Sequence, residues 1–90
     1  MNFEWNSAKA AANIKKHGVS FEEAVSALKD DLAATARDLE NSGIELRFIT
    51  FSVSEQGRLL AVSHTERGNT IRIISARVAT RMERKIYEEG

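Results

Sequence analysis

The sequence contains no cysteine and no proline, and it has no long hydrophobic run. Without cysteine the protein has no thiolate nucleophile and lacks the usual ligands of structural zinc sites, and this composition agrees with a reducing compartment. The longest apolar run is far shorter than the about 20 residues that span a bilayer, and the N-terminus has no basic start followed by an apolar stretch. We therefore expect a cytoplasmic protein that does not associate with a membrane.

A net charge is also missing, because 13 Lys and Arg side chains balance 13 Asp and Glu side chains. The 90 residues suffice for one small core, so we expect a single domain over residues 1–90. An apolar content of 42% with 29% charged residues is typical of a folded globular protein and not of a disordered chain.

The balanced total conceals a concentration of positive charge in the last third of the chain. From Arg58 to Lys85 there are seven positive and two negative side chains, a net charge of +5. Residues 1–57 have six positive and nine negative side chains, a net charge of −3. Such clustering indicates a polyanion as ligand. The alternative is a solvated helix face, where charged residues are common.

The first third of the sequence predicts two helices. Asn6 is a typical N-cap, and Gly18 is a typical left-handed residue at a helix end. Ser20 begins a capping-box pattern with Glu23, and we expect the second helix to end at Asp30. Apolar residues recur at helical spacing in this second helix: Phe21, Ala24, Val25 and Leu28.

The middle of the sequence predicts strands. Residues 33–39 are a weak edge candidate, whereas residues 46–53, 59–65 and 71–75 are rich in β-branched and aromatic residues. Short turns between them predict antiparallel neighbours. Phe3 and Trp5 are candidates for one more edge strand.

Residues 76–89 predict a final helix with Val78, Met82 and Ile86 directed inward. The expected fold is therefore α+β. It has two N-terminal helices, a twisted antiparallel meander and a C-terminal helix, with the helices packed on one face of the sheet.

The predicted last helix places two arginines at its positive end. With Ser75 as N-cap, Arg77 lies in a first turn that has no Asp or Glu, and Arg81 follows one turn later. A cation there opposes the helix dipole at about 0.3–1 kcal/mol, and an uncompensated local conflict indicates function. Together with the free N–H groups, the two arginines predict a phosphate cradle. The alternative is that they pair with Glu66 or Glu45, or are simply solvated.

A second group of candidates surrounds the predicted turn at residues 66–69. His64 and Glu66 end one strand, and with Arg67 they predict a proton carrier and charge stabilisers for phosphodiester cleavage. Attack of an RNA 2′-OH on the adjacent phosphorus needs a proton acceptor, a proton donor and cations, but no metal. Arg72 extends this groove if the isoleucines on either side of it face the core. A lone histidine such as His64 is more often structural than catalytic.

Lys16 and His17 form a smaller basic cluster at the end of the first helix, where cations need no functional reason. His17 and His64 belong to no metal-binding motif, and no catalytic triad is recognisable. Trp5 is an aromatic residue that could stack on a base, but we favour a core position for it.

Two stretches of the sequence resemble the BrnT toxin family. The N-terminal stretch comprises residues 3–6, Lys9, Asn13 and residues 16–24. The C-terminal stretch comprises residues 45–48, 65–68 and 71–77, with Ala79, Glu83 and Tyr87. The two stretches together cover nearly the whole chain. The sequence departs from the family pattern at His64, for example, where an aromatic residue is common.

The resemblance implies a bacterial type II toxin of RelE-like fold that acts as a metal-independent endoribonuclease. It also implies a BrnA-like antitoxin that masks the toxin and binds operator DNA through its own ribbon-helix-helix domain. We expect the free toxin to be a monomer that needs no cofactor or metal. The predicted catalytic residues are His64, Glu66, Arg67, Arg72 and Arg77. The predicted RNA-binding residues are Lys16, His17 and Arg81.

Two other functions remain open at this point. The same arginines would serve a non-catalytic nucleic-acid-binding protein, whose affinity would fall steeply with salt without strand cleavage. They would also serve a protein-binding module that docks an acidic partner on its basic face.

Overall fold

The computed structural model describes residues 1–40, 43 and 45–90, and it has the expected α+β class. Three helices and five strands occur within these residues. In chain order they are β1 (Asn2–Glu4), α1 (Ser7–His17), α2 (Phe21–Leu28), β2 (Ala34–Arg37), β3 (Phe48–Val53), β4 (Leu59–Arg67), β5 (Thr70–Val78) and α3 (Arg81–Glu89). No helix in these described ranges is long and apolar enough to cross a membrane.

Local signals in the sequence begin the first two helices and end the first one as predicted, whereas α2 ends at Leu28, earlier than the predicted Asp30. The Asn6 side chain accepts a hydrogen bond from the Lys9 N–H at 3.0 Å, and Gly18 ends α1 with a left-handed φ of 69°. The Ser20 hydroxyl accepts from the Glu23 N–H at 3.0 Å and caps α2. The second half of a capping box is not formed, since the Glu23 carboxylate binds Ser54 and Arg58 instead.

The strands form one five-stranded sheet in the order β1-β5-β4-β3-β2. From β2 to β5 the strands are antiparallel neighbours, which confirms the predicted meander and the weak edge strand β2. β1 lies at the other edge, parallel to β5, as the candidate strand around Phe3 predicts. It pairs with β5 only from Thr70 to Arg72, so the rest of that edge of β5 has no neighbouring strand among the described residues.

The core lies between the α1–α2 pair and one face of the sheet, which we call the α1–α2 face. Phe21 and Ala24 of α2 pack against Leu60 and Val62 of β4, and Trp5 contacts Phe21 edge-on with ring centroids 6.0 Å apart. The remaining buried members of this core cluster are Val19, Ala27, Ile73 and Ala76. The predicted apolar stripe of α2 and the predicted core position of Trp5 are therefore confirmed.

The last strand is longer than predicted, and the last helix begins later. Residues 76–78 belong to β5, and α3 begins at Arg81 with Thr80 as its N-cap. The prediction of a helix from residue 76 is wrong because cross-strand pairing with β4 extends to Val78, which overrides the local helical pattern. Met82 and Ile86 of α3 are 72% and 65% exposed, so the prediction that they face inward is also wrong.

The third helix lies on the opposite side of the sheet from α1 and α2. Arg77 pairs across the strands with Ala61, whose side chain alternates with those of Leu60 and Val62 and therefore points away from the core cluster. Glu83 of α3 binds Arg77 on this side. The prediction that all helices pack on one face thus holds for α1 and α2 and is wrong for α3.

Candidate nucleic-acid interface

A β-bulge in β5 brings two of the predicted site arginines to one face of the sheet. Ser75 pairs with Ser63, but the next pair along the ladder is Ile73 with His64, so Ile74 is an extra residue without its own partner. Arg72 is opposite Thr65, and Arg77 is opposite Ala61. Thr65 and Ala61 are four residues apart in β4, and side chains an even number of residues apart share a face. We call this side of the sheet, with Arg67, Arg72 and Arg77, the arginine face.

The register also sets the spacing of these arginines. Arg67 and Arg72 lie near the β4–β5 turn, with Arg67 opposite Thr70 and Arg72 opposite Thr65. Arg77 is four residues further along the ladder, about 13 Å away at about 3.3 Å per residue. The three guanidinium groups therefore form a row along the face and do not converge on a single point.

At the turn end of the row, each arginine is paired with a carboxylate. Arg67 Nε donates to Glu45 Oε1 at 2.6 Å, and Arg72 Nη1 lies 3.7 Å from Glu4 Oε2. The hydrogen bond from Arg67 lowers the pKa of the Glu45 carboxyl, with smaller contributions from Thr65 and the charge of Arg72. All of these groups remain open to solvent except Thr65, which is buried. A shallow depression beside them is lined by Glu45, Leu46, Phe48, Glu66 and Arg67.

At the other end of the row, Arg77 is held by α3. Its Nη1 and Nη2 atoms donate to the two carboxylate oxygens of Glu83 at 2.7 and 2.9 Å. Glu83 also accepts from the Thr80 N–H at 2.8 Å and completes a capping box with the Thr80 hydroxyl. The hydrogen bonds from Arg77 lower the pKa of Glu83 to about 2, and Glu83 in turn raises the pKa of Arg77.

This geometry corrects the predicted phosphate cradle at the start of the last helix. Ser75 is not an N-cap, and Arg77 lies on a strand and not in a first helical turn. The first turn of α3 does contain an acidic residue, Glu83, which offsets the cation Arg81 at the first position of the helix. Arg81 is exposed. The alternative that Arg77 pairs with Glu66 or Glu45 is wrong, because its partner is Glu83 of α3.

His64 is buried on the α1–α2 face. It is 2% exposed, and its Nε2 lies 2.7 Å from Thr50 Oγ1, which lies 2.7 Å from Thr35 Oγ1. The ring stacks on Phe48, with centroids 5.9 Å apart. Burial lowers the pKa of His64, and the charge of Glu66 raises it by less. His64 and the arginine face thus lie on opposite sides of the sheet, which does not favour the predicted catalytic role of His64.

The other predicted residues fall into two places. Glu66 is exposed at the turn end of the sheet and lines a depression together with Arg67, but its pairing with Ile71 puts it on the α1–α2 face and not on the arginine face. Lys16 is exposed and His17 half-buried at the end of α1. They lie near the other end of β4, because the neighbouring Gly18 carbonyl accepts a hydrogen bond from Arg58 at 3.1 Å.

One buried polar residue near Arg77 was not predicted as part of the site. Asn13 of α1 is 7% exposed and hydrogen-bonds to the backbone of Val19 and Ala76. Asn13 could have been recognised in the sequence because it follows Ala10 by three residues, a helical spacing that places its amide on the core-facing side of α1.

Among the described side chains, no group of three or more His, Asp or Glu residues has the geometry to hold a metal ion. The arginine face offers a row of cations that suits phosphate groups.

Comparison with known proteins gives a matching family model and a similar solved structure. A family model described as "Ribonuclease toxin, BrnT, of type II toxin-antitoxin system" matches residues 5–83. The fold is similar to the 1.1 Å crystal structure of the Brucella abortus ribonuclease toxin, BrnT, with a TM-score of 0.64 and 23% sequence identity. That match covers 90% of this chain and 99% of the Brucella chain. No curated protein sequence matches significantly.

Proposed function

This chain belongs to the BrnT family of ribonuclease toxins of type II toxin–antitoxin systems, and we propose on that premise that it is an endoribonuclease that needs no metal ion. The family implies an RNA substrate and a cognate antitoxin. The observation that carries the proposal is the row of Arg67, Arg72 and Arg77 on one face of the sheet.

The proposed chemistry is a transfer within the RNA chain. The 2′-oxygen forms a bond to the adjacent phosphorus, the bond from phosphorus to the 5′-oxygen breaks, and the products end in a 2′,3′-cyclic phosphate and a free 5′-OH. A base takes the proton of the 2′-OH, and an acid gives a proton to the leaving 5′-oxygen. Fixed cations stabilise the charge that develops on the phosphorus oxygens.

We assign the scissile phosphate to Arg67 and Arg72, which lie together at the turn end of the arginine face. We assign proton transfer to Glu66, whose exposed side chain lies at the same turn beside Arg67, although its pairing with Ile71 puts it on the α1–α2 face. Arg77 is about 13 Å further along the ladder and binds a neighbouring part of the RNA backbone. Arg81, at the start of α3, extends this contact on the same side of the sheet. Lys16 and His17, at the end of α1 on the other side, are assigned a separate contact to the RNA backbone. His64 serves to hold β3 and β4 together through Thr50.

The cleavage test uses purified toxin that is free of its partner. Incubation with RNA in EDTA should give fragments that end in 2′,3′-cyclic phosphate. Added Mg²⁺ should not increase the rate beyond its effect on RNA structure. Intact RNA at enzyme excess would rule out the proposed activity.

The proposed partner is a BrnA-like antitoxin with a ribbon-helix-helix domain, through which the complex and not the toxin alone binds operator DNA. The free toxin is proposed to be a monomer. Co-expression with the adjacent gene should give a stable complex that no longer cleaves RNA, and light scattering of the toxin alone should give the mass of one chain. An adjacent gene whose product neither binds nor inhibits would contradict this part.

A non-catalytic RNA-binding protein is the second candidate, and the burial of His64 favours it because one predicted proton carrier does not reach the arginine face. In that case RNA should stay intact while the affinity falls steeply with salt. The same cleavage assay separates the two functions.

A further inference from the structure

The side-chain amide of Asn13 fixes the backbone of β5 at one residue. Asn13 Nδ2 donates to the Ala76 carbonyl at 2.8 Å, and Asn13 Oδ1 accepts from the Ala76 N–H at 3.2 Å. The same Nδ2 also donates to the Val19 carbonyl at 2.9 Å. One buried amide thus joins α1, the α1–α2 connection and β5.

This contact replaces a missing strand. β1 pairs with β5 only up to Arg72, so the outer edge of β5 at Ala76 has no neighbouring strand in the described part of the chain. A buried N–H and C=O need partners, because leaving each one unpaired costs about 1–3 kcal/mol. The Asn13 amide presents one donor and one acceptor in the arrangement that a neighbouring strand would present.

The position of Ala76 connects this contact to the arginine face. Ala76 follows the bulge residue Ile74 by two positions and directly precedes Arg77. A bulge interrupts the ladder and bends the strand, so the register beyond it needs a separate constraint. Asn13 supplies that constraint on the backbone, while Glu83 orients the guanidinium group of Arg77 from the other side.

We propose that Asn13 is a positioning residue for Arg77, which holds the backbone of β5 so that the guanidinium group meets the RNA backbone on the arginine face. The proposal rests on the proposed function, since it takes RNA as the ligand of Arg77. Asn13 itself is buried on the far side of the strand and touches no RNA.

The test is a double-mutant cycle on kcat/KM for RNA cleavage, with variants Asn13→Asp, Arg77→Ala and both together. Asn13→Asp keeps the shape and the acceptor but removes both N–H donors. Arg77→Ala should lower kcat/KM mainly through a higher KM, because it removes one contact to the flanking RNA backbone. Asn13→Asp alone should lower kcat/KM through the same rise in KM and by no more than Arg77→Ala does, because it acts only by displacing Arg77.

The double variant distinguishes positioning from general damage. If Asn13 acts through Arg77, adding Asn13→Asp to Arg77→Ala should change kcat/KM by less than about 3-fold. If the two losses multiply, the proposal is overturned. Should Asn13→Asp not fold, Asn13→Ala answers the same question, because it removes the amide without burying a charge.

A matched control separates stability from positioning. Ser54→Ala removes a buried hydrogen bond of 2.7 Å to Glu23, at a place unrelated to Arg77. It should lower the melting temperature while kcat/KM per folded molecule stays within about 3-fold of wild type. An Asn13 variant that lowers only the melting temperature, as Ser54→Ala should, would overturn the proposal.

Binding provides a second readout that does not depend on cleavage. A 2′-O-methyl RNA has no free 2′-OH, so its affinity can be measured by fluorescence anisotropy for all four proteins. If wild type binds the 2′-O-methyl RNA but leaves unmodified RNA of the same sequence intact, the proposed activity fails and the cycle in affinity still decides the role of Asn13. If Arg77→Ala changes neither affinity nor cleavage while wild type is active, the activity stands and the role of Asn13 is overturned. If wild type neither binds nor cleaves RNA, both are overturned.

Discussion

Arg72 and Arg77 lie on the same face of the sheet although they are five residues apart in one strand. In a regular strand an odd separation puts two side chains on opposite faces. Ile74 has no partner in β4 and is therefore an extra residue between the two arginines. Arg72 and Arg77 are opposite Thr65 and Ala61, which are an even number of residues apart, so their side chains point to the same face. The bulge thereby keeps Ile73 and Ala76 in the core while both arginines face away from it.

Removing either arginine should weaken RNA cleavage. Arg72→Ala should lower kcat by about 10²–10³-fold, because it removes a fixed cation at the scissile phosphate. Arg77→Ala should lower kcat/KM mainly through a higher KM, because it removes a contact to the flanking backbone. Both variants should prevent growth arrest on expression. Each should also reduce the slope of log affinity against log salt by about 0.7, the contribution of one phosphate contact on a single strand. Arg37→Ala on the edge strand β2 is the matched control and should change neither quantity. Unimpaired toxicity of both variants would exclude these arginines from the site.

The ion pair between Arg77 and Glu83 should make the free energy of unfolding depend on pH in the acid range. The pKa of Glu83 is lowered to about 2 in the folded protein, against 4.5 as its ordinary value. The unfolded chain therefore binds a proton first as the pH falls, so the stabilisation is complete above about pH 4.5 and is lost towards pH 2. We expect a contribution of about 1–2 kcal/mol after solvent screening.

The measurement is urea unfolding at several pH values for wild type and Glu83→Gln. The difference in free energy of unfolding between the two should shrink as the pH falls from 4.5 to 2. Glu22→Gln, the same change on the exposed surface of α2, should show no such trend. A pH-independent difference for Glu83→Gln would contradict the ion pair as the source of stability.

Protonation of His64 should lower the free energy of unfolding in a second pH range, nearer to neutral. Burial lowers its pKa in the folded state below the ordinary 6.5, so the unfolded chain binds a proton more readily. Stability is then complete above about pH 6.5 and falls as the pH drops from there towards the lowered pKa. His64→Gln keeps a group that can bond Thr50 but does not titrate, so its stability should stay flatter over this range. Equal pH dependence for both proteins would contradict the prediction.

Arg58 should stabilise the fold without contributing to RNA binding. It binds the buried carboxylate of Glu23 and the Gly18 carbonyl, and it lies at the start of β4. Arg58→Met should lower the melting temperature because it leaves Glu23 with a buried charge and only the Ser54 hydroxyl as partner. RNA affinity per folded molecule should remain that of wild type. A loss of affinity as large as that of Arg72→Ala would place Arg58 in the binding surface.

Much of the fold could be predicted because its signals are local. The caps Asn6 and Ser20 and the left-handed Gly18 act within one helical turn, and each lies where predicted. Strand order also followed from the short turns, since chain neighbours pair when the connection is tight. The start of α3 could not be predicted in this way, because residues 76–78 have a helical pattern but gain more from pairing with β4.

The candidate site was predicted only in part. The concentration of arginine correctly indicated one basic face, and Glu66 with Arg67 lies at the predicted turn. The partner of each arginine comes from a distant part of the chain, such as Glu4 for Arg72, and no local rule pairs such residues. His64 looked like a proton carrier in the sequence but is buried, because its strand is covered on that side.

The sequence alone determined the α+β class, the two capped helices and the meander, because periodicity, capping and tight turns act over a few residues. The tertiary structure decided which side each functional group faces. That depends on the bulge at Ile74, on the clamp of Asn13 on Ala76 and on the docking of Glu83 against Arg77. The Asn13 contact joins residues that are far apart in the chain, the Glu83 contact joins two separate elements, and the bulge depends on strand register. A shift of one residue in register turns a side chain to the other face, so short-range patterns do not decide it.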